Sequence, residues 1–286
     1  MRVDFHCHLF PPMDASRMFK VGSLIFKGYG FYERMEKKMR SIKSIEVSNI
    51  MKKTIFHLKR ANIDKAVLLP VTMKENQEVK KWVEFAPEVF IPFYNPPEKY
   101  DNRIDLKDEI ENAIAEEGYK GFKIMLTFRE KKLNDQLIYP VLEVAQKFKV
   151  PIVMHCGYPP PGTRRNVLTY SNPISIDTFA SSFPKASIII SHMGYPFTDI
   201  AIALAVQYPN VYLDLSNLAY MMPSRLKELL IQADEMIGVH KILFGSDGNI
   251  PEMIEIAVDY FDQIDFLTND EVEKIMGLNG VKLLNL

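Results

Sequence analysis

The sequence Met1-Arg2-Val3-Asp4-Phe5-His6-Cys7-His8 is a short apolar run that ends in two histidines one residue apart. In a β-strand, side chains two positions apart point to the same side, so His6 and His8 aim at one spot with their backbones about 7 Å apart. Two imidazoles converging from one strand end suit a borderline metal such as zinc. A pair of solvated or packed histidines has the same spelling, so the weight falls on the polar residues later in the chain.

Outward from that stretch, short β-rich runs recur at 63–70, 89–93, 119–126, 151–155, 186–192, 211–216 and 241–245. They alternate with amphipathic segments at about 75–85, 104–117, 135–148, 174–183, 197–208 and 224–237, where Ser224 can cap the last, and helical sequence continues to the end. This alternation is the pattern of a parallel sheet with crossover helices. With the opening run it gives eight strands and eight helical segments in 286 residues, which predicts an α/β fold: a (β/α)8 TIM barrel forming one domain over 1–286. The competing architecture, an open doubly wound sheet, carries a glycine-rich phosphate turn after its first strand, and Leu9-Phe10-Pro11-Pro12 is nothing like one.

The connection after the first strand, about 13–61, is too long for an ordinary strand-to-helix link and predicts a long helical insertion. It holds an aromatic, glycine-bearing patch at 24–32, and between Phe31 and Arg60 it has nine Lys/Arg against three Glu. A solvated helix pair, a cap over a site and a subunit contact in a homo-oligomer all fit this composition.

The net charge is −1, which argues against a chain built to coat nucleic acid or anionic membrane; a nucleic-acid role would rest on the basic stretch alone. No run approaches 18 uninterrupted apolar residues, so no membrane span is expected. Asp4, His6 and His8 interrupt the start where a signal peptide would have its apolar core, and two cysteines, Cys7 and Cys156, make no disulfide framework. A cytoplasmic, reduced setting is the expectation.

Several strands break their apolar pattern at the C-terminal end, the side on which TIM barrels build their sites. The first ends in His6 and His8, the fourth carries Lys123, the fifth ends in His155, the sixth in His192 and the eighth in Asp247. Four of the six histidines thus meet a lysine and a carboxylate on one rim. Burying so many ionisable groups together is costly unless they are paired or bind a metal.

In this order the motifs DFHCHLFPP, GFKI, HCG, SHMG and FGSD resemble the amidohydrolase superfamily of metal-dependent TIM-barrel enzymes. They are most similar to its amidohydrolase-related branch, which includes aminocarboxymuconate-semialdehyde decarboxylase and resorcylate decarboxylases beside hydrolases. The resemblance implies His6, His8 and His155 as metal ligands, and Asp247 as a fourth ligand or as the partner of a metal-held water. It implies His192 as the catalytic acid/base and Asp247 as a second catalytic group. One divalent metal, with zinc favoured, is the expectation. Two metals bridged by a carboxylated Lys123 are the alternative, since binuclear members place such a lysine on strand four; otherwise Lys123 pairs with a carboxylate or touches substrate.

The chemistry is consistent with that set. Three neutral nitrogens leave a divalent charge largely uncompensated, which lowers the pKa of bound water toward neutrality. Asp247 can accept its proton, and His192 can shuttle a proton or stabilise an oxyanion. The leading function is a metal-dependent hydrolase acting through activated water on an amide, ester, lactone or related small molecule. The alternatives are a metal-dependent non-oxidative decarboxylase of an aromatic or unsaturated carboxylic acid and an inactive binding protein on the same barrel.

The loop GYPPPGTRRN at 157–166 offers Arg164 and Arg165 for substrate binding, well suited to a carboxylate-bearing small molecule. Arg129 is a weaker candidate, and Tyr195 and Phe197 could line an apolar pocket. By strand parity Asp4 shares a face with His6 and His8, as a hydrogen-bond partner for a ligand imidazole or a strand-entry residue. Asp214 could point inward. His57 and His240 read as structural, and Cys7 and Cys156 as packing on the outer strand face.

Overall fold

The apolar runs form eight short parallel strands: β1 Val3–Cys7, β2 Lys65–Leu68, β3 Phe90–Pro92, β4 Phe122–Ile124, β5 Ile152–Met154, β6 Ile188–Ile190, β7 Val211–Asp214 and β8 Ile242–Leu243. The computed structural model describes residues 1–12, 15–43, 45, 49–98, 102–158 and 167–286. Strands pair in chain order in two arcs, β1 to β3 and β4 to β8. Two seams close the ring. Tyr94, just past β3, bridges Phe122 of β4, and the Lys123 N–H donates to the Tyr94 carbonyl at 2.8 Å. Between β8 and β1, the Phe5 N–H donates to the Phe244 carbonyl at 2.9 Å and the Asp247 N–H to the His6 carbonyl at 2.8 Å. The result is the (β/α)8 barrel.

Because side chains alternate across each strand, every β run serves two cores. Val3, Phe5, Val67, Phe93, Val153 and Ile189 fill the barrel interior, while Leu68, Ile124, Met154, Ile190 and Leu213 pack outward against the helices. Lys123 is in register with Val153, which pairs with Ile189, so its side chain is inward.

The longer helices are α1 Ala15–Phe26, α2 Gly30–Met39, α3 Ile50–Arg60, α4 Asn76–Phe85, α5 Arg103–Ala115, α6 Ile138–Phe148, α7 Thr198–Gln207, α8 Pro223–Ile237, α9 Glu252–Asp262 and α10 Asn279–Leu284. Asn49 and Asn102 cap α3 and α5 by accepting first-turn N–H bonds. Helix α8 starts with Pro223 at its first position, one residue before the expected Ser224 cap, because proline's missing N–H costs nothing there. The helix expected over 174–183 is instead a 3-10 turn, Pro173–Ile176, capped by Asn172, followed by one helical turn, Asp177–Ala180. At the N-terminal end of the barrel, Val281, Leu283 and Leu284 pack against the interior cluster.

The insertion's helices α2 and α3 dock by charge as well as by apolar contact. Lys53 Nζ lies 2.5 Å from Glu252, Arg60 3.2 Å from Glu255 and Lys38 3.0 Å from Asp259, all on α9. Three of the nine basic residues of this stretch thus pair with one acidic helix face. Phe26, Phe31 and Tyr32 pack ring to ring between α1 and α2. Among the described residues no helix is long and apolar enough to cross a membrane.

Candidate metal centre

A β-bulge places the first two site residues. The β1–β2 register shifts between the Asp4–Ala66 and Cys7–Leu68 pairs. Such a bulge re-aims the residues beyond it. Val3 and Phe5 face the barrel interior before the bulge, and His6 and His8 face the site after it. Asp4 therefore does not share their face, which corrects the parity reading. Its carboxylate accepts the backbone N–H of His6 at 3.1 Å and of Ser246 at 2.9 Å, and the Ser246 hydroxyl at 2.6 Å. Asp4 ties β1 to the loop after β8 and takes no imidazole; burial pushes its carboxyl up to about 7 against those hydrogen bonds.

The imidazole partner is Asp214 at the end of β7. Its Oδ2 lies 2.8 Å from His6 Nδ1. Its Oδ1 accepts the backbone N–H groups of His192 and Ser216, each at 3.0 Å, and the Ser216 hydroxyl. Burial opposes the Asp214 charge, but the His6 and His192 rings and the Ser216 hydroxyl outweigh it and hold the carboxyl below its usual range.

These contacts fix the ring tautomers. A carboxylate accepts, so His6 carries its proton on Nδ1. His8 Nδ1 is 2.6 Å from the Leu69 carbonyl and carries a proton for the same reason. In the neutral rings both Nε2 atoms are then lone pairs, and they face each other at 3.2 Å. His192 Nδ1 is 2.8 Å from the Ser216 hydroxyl, which itself donates to Asp214; His192 Nδ1 is therefore the donor. His192 Nε2 then accepts from His155 Nδ1 at 3.3 Å, which leaves His155 Nε2 as a lone pair. Among the described residues that buried nitrogen has no hydrogen-bond partner. Three Nε2 lone pairs beside a carboxylate are a donor set for a divalent cation.

The carboxylate is Asp247, whose Oδ1 is 3.1 Å from His8 Nε2 and 3.8 Å from His6 Nε2. Burial works against its charge, and the surrounding His6, His8 and His192 rings hold its carboxyl well below the usual range all the same. Its Oδ2 lies 3.7 Å from His192 Nδ1. One donor atom each from His6, His192 and Asp247 also fall within 4.8 Å of one another, so His192 stands close enough to be a ligand by distance. Its Nδ1 also meets the Ser216 hydroxyl at 2.8 Å and its Nε2 meets His155 Nδ1 at 3.3 Å.

Lys123 is fully buried, with Nζ 3.1 Å from His6 Nε2. Burial lowers its pKa to about 8 against the pull of Asp214 and Asp247. His6 is lowered to about 4 by burial and by Lys123, and stays neutral at pH 7.

Above these groups lies a cavity of about 410 Å3. Its floor includes His8, His155, His192 and Asp247, and its walls include Met18, Phe26 and Met35 from the insertion and Met125, Phe128 and Met253 from the barrel loops. Thioether and aromatic walls favour an apolar, ring-sized body.

Of the other candidates, Arg164 and Arg165 lie outside the described residues. Tyr195 packs edge-on to Tyr158 at 5.7 Å, and Tyr158 rather than Tyr195 lines the cavity. Arg129 is committed to Asn95 Oδ1 at 2.6 Å and to the Pro96 and Pro97 carbonyls, holding a loop. His57 is buried against Glu255, His240 is exposed, and Cys7 and Cys156 pack in the outer core. Sequence reading missed Ser216, Asn217, Tyr158 and Phe128. Ser216 had a signal, since it sits two residues after Asp214 and shares its face; Asn217 reads like any loop asparagine.

The amidohydrolase family profile matches residues 3–286. Protein fluG of Emericella nidulans is 29% identical over 153 residues, a match covering 51% of this chain and 16% of that protein's length. Among solved structures, an uncharacterised TIM-barrel protein of Bordetella bronchiseptica superposes with a TM-score of 0.74 at 20% identity, over 99% of this chain and 98% of that one. A dihydroxybenzoic acid decarboxylase of Polaromonas sp., with bound manganese and 2-nitroresorcinol, gives a TM-score of 0.68 at 17% identity, over 100% and 97%.

Proposed function

The chain belongs to the amidohydrolase family, and from that premise we propose that it is a metal-dependent hydrolase of a small molecule with an apolar, ring-sized body and an amide, ester, lactone or related bond. The observation that carries this reading is the close approach of His6 Nε2, His8 Nε2 and Asp247 Oδ1, 3.1 to 3.8 Å apart, under an apolar cavity that His8, His155 and Asp247 line. His6, His8, His155 and Asp247 hold one divalent metal, with zinc favoured by the imidazole-rich donors; the manganese in the Polaromonas enzyme makes that ion the first competitor.

The metal, when bound, supplies Lewis-acid polarisation and acidifies water. Asp247 orients the nucleophilic water and accepts its proton. His192, fixed through Ser216, stands beside the reacting centre to move a proton to the leaving group or stabilise developing negative charge. Asp214 keeps His6 in the tautomer that presents Nε2. Lys123, in this reading, is a buried neighbour of the ligand His6 in a one-metal site. The apolar walls strip water from the substrate body.

Elemental analysis of protein purified without chelator, followed by assay on ester and lactone substrates, tests this. About one metal per chain, with turnover lost on chelation and restored by metal, is the expected result. Metal-free protein, or turnover indifferent to chelation, overturns it. The second reading, a non-oxidative decarboxylase of an aromatic carboxylic acid, draws on the full-length similarity to the Polaromonas enzyme. Carbon dioxide release from hydroxybenzoates without ester or lactone turnover would select it.

A further inference from the structure

Three residues around the site hold left-handed backbone without being glycine: His192 at φ 56°, Asn217 at φ 58° and Asp247 at φ 49°. Each such residue costs energy that its surroundings must repay, and asparagine tolerates the conformation best. Their side chains touch one another. Asn217 Nδ2 donates to Asp247 Oδ2 at 2.8 Å and lies 3.2 Å from His192 Nδ1. The other end of the amide accepts the Tyr158 hydroxyl at 3.0 Å.

The Asp247 contact settles the amide's orientation, because a carboxylate only accepts and so faces Nδ2, which leaves Oδ1 to the Tyr158 hydroxyl. A phenol facing a carboxamide that also faces a carboxylate leaves one arrangement in which every hydrogen bond is made: Tyr158 O–H to Asn217 Oδ1, and Asn217 N–H to Asp247 Oδ2. The carboxylate is then held by one oxygen, and its other oxygen, Oδ1, is turned to the His6 and His8 nitrogens. The backbone of Asp247 is fixed as well, because its carbonyl accepts the Tyr220 hydroxyl at 2.6 Å and its N–H donates to His6. With the main chain pinned at both groups, the χ torsions are the remaining freedom, and Asn217 removes it.

We propose that Asn217 is a positioning residue that locks Asp247 for one-oxygen use toward the metal site, and that Tyr158, on the cavity wall, holds Asn217 in that orientation. This rests on the metal-site reading above. It makes the relay Tyr158–Asn217–Asp247 a link from the substrate cavity to the carboxylate. A substrate that competes for the Tyr158 hydroxyl loosens the amide and with it Asp247.

The test is zinc affinity of metal-stripped protein, measured by competition with a chromogenic chelator at fixed pH. Asn217→Gly removes the amide and keeps the left-handed backbone easy, Tyr158→Phe removes only the hydroxyl, and the double variant combines them. Thermal unfolding of each metal-stripped variant reports on folding separately. The expected result is a loss of about tenfold to a hundredfold for Asn217→Gly, a smaller loss for Tyr158→Phe, and a double variant no worse than Asn217→Gly alone, with unfolding of the Tyr158→Phe protein unchanged. Asn217→Gly binding within about twofold of wild type, or Tyr158→Phe losses that add fully to those of Asn217→Gly, overturns the proposal. Wild-type protein that binds no zinc overturns the metal-site reading and the proposal together, so the two failures are told apart.

Discussion

Asp214 on β7 holds His6 on β1 by a 2.8 Å contact to Nδ1, although 208 residues separate them in the chain. The same carboxylate takes the backbone N–H groups of His192 and Ser216. One buried anion thus sets the tautomer of a candidate ligand and the position of the candidate acid/base. Asparagine at 214 offers a single acceptor oxygen and turns an N–H against one of those donors. Asp214→Asn is expected to weaken metal binding about tenfold to a hundredfold, read by chelator competition. Unchanged affinity would show that His6 orients itself.

The same pair makes a pH prediction. The Asp214 carboxyl is held below its usual range in the folded protein. Its contribution to stability is therefore present above the unfolded pKa of about 3.9 and is lost as pH falls through the lower folded value. In metal-stripped protein, the stability advantage of wild type over Asp214→Asn should narrow on going from pH about 6 to about 3 in urea titrations. A gap that widens over that range would mean that the group is protonated in the folded state.

His155 and His192 are in contact, yet substitution should separate them. His155→Ala removes a buried Nε2 that has no hydrogen-bond partner among the described residues, and should lose metal and activity together. His192→Asn should keep metal and lose at least about a hundredfold in turnover, the low end for an acid/base residue. Metal lost from the His192 variant would move that residue into the ligand set, as its proximity to His6 and Asp247 allows by distance.

The strand-end positions of His6, His8, Lys123, His155, His192 and Asp247 are legible in the sequence because alternation of apolar runs and helices identifies the barrel, and the barrel identifies its rim. The face of Asp4 is not, because the β1 bulge has no residue signature and inverts parity between Phe5 and His6. The apolar run 186–192 predicts a strand that continues to His192, but β6 stops at Ile190 and the chain turns through left-handed backbone at His192 and Met193. The pairing of the basic insertion with α9 is hidden for another reason. Lys53 and Glu252 lie far apart in the chain, and composition shows an excess of charge without showing its partner.

Lys123 separates one metal from two. Its Nζ sits 3.1 Å from His6 Nε2, inside the barrel and away from solvent. Lys123→Met keeps the stem's volume and removes the amine. About one metal per chain in both wild type and variant is the expected elemental analysis. Two equivalents in wild type falling to one or none in Lys123→Met would place a carboxylated lysine between two ions and revise the ligand set accordingly.

The insertion's attachment can be broken without touching the site. Lys53 and Glu252 are both buried, at 2.5 Å, and His57 Nε2 lies 4.0 Å from the same Glu252 oxygen. Removing one partner of a buried ion pair leaves the other charge in a medium that solvates it poorly, at a cost of about 3–5 kcal/mol, whereas replacing both by apolar residues of similar size is often neutral. Lys53→Met should therefore lower the midpoint of thermal unfolding by several degrees, and Lys53→Met combined with Glu252→Leu should recover much of the loss. Because α1 and α2 supply Met18, Phe26 and Met35 to the cavity wall, Lys53→Met should also raise KM for an apolar substrate more than it lowers kcat. A destabilised variant with unaltered KM would mean that α3 anchors to α9 independently of the helices over the cavity.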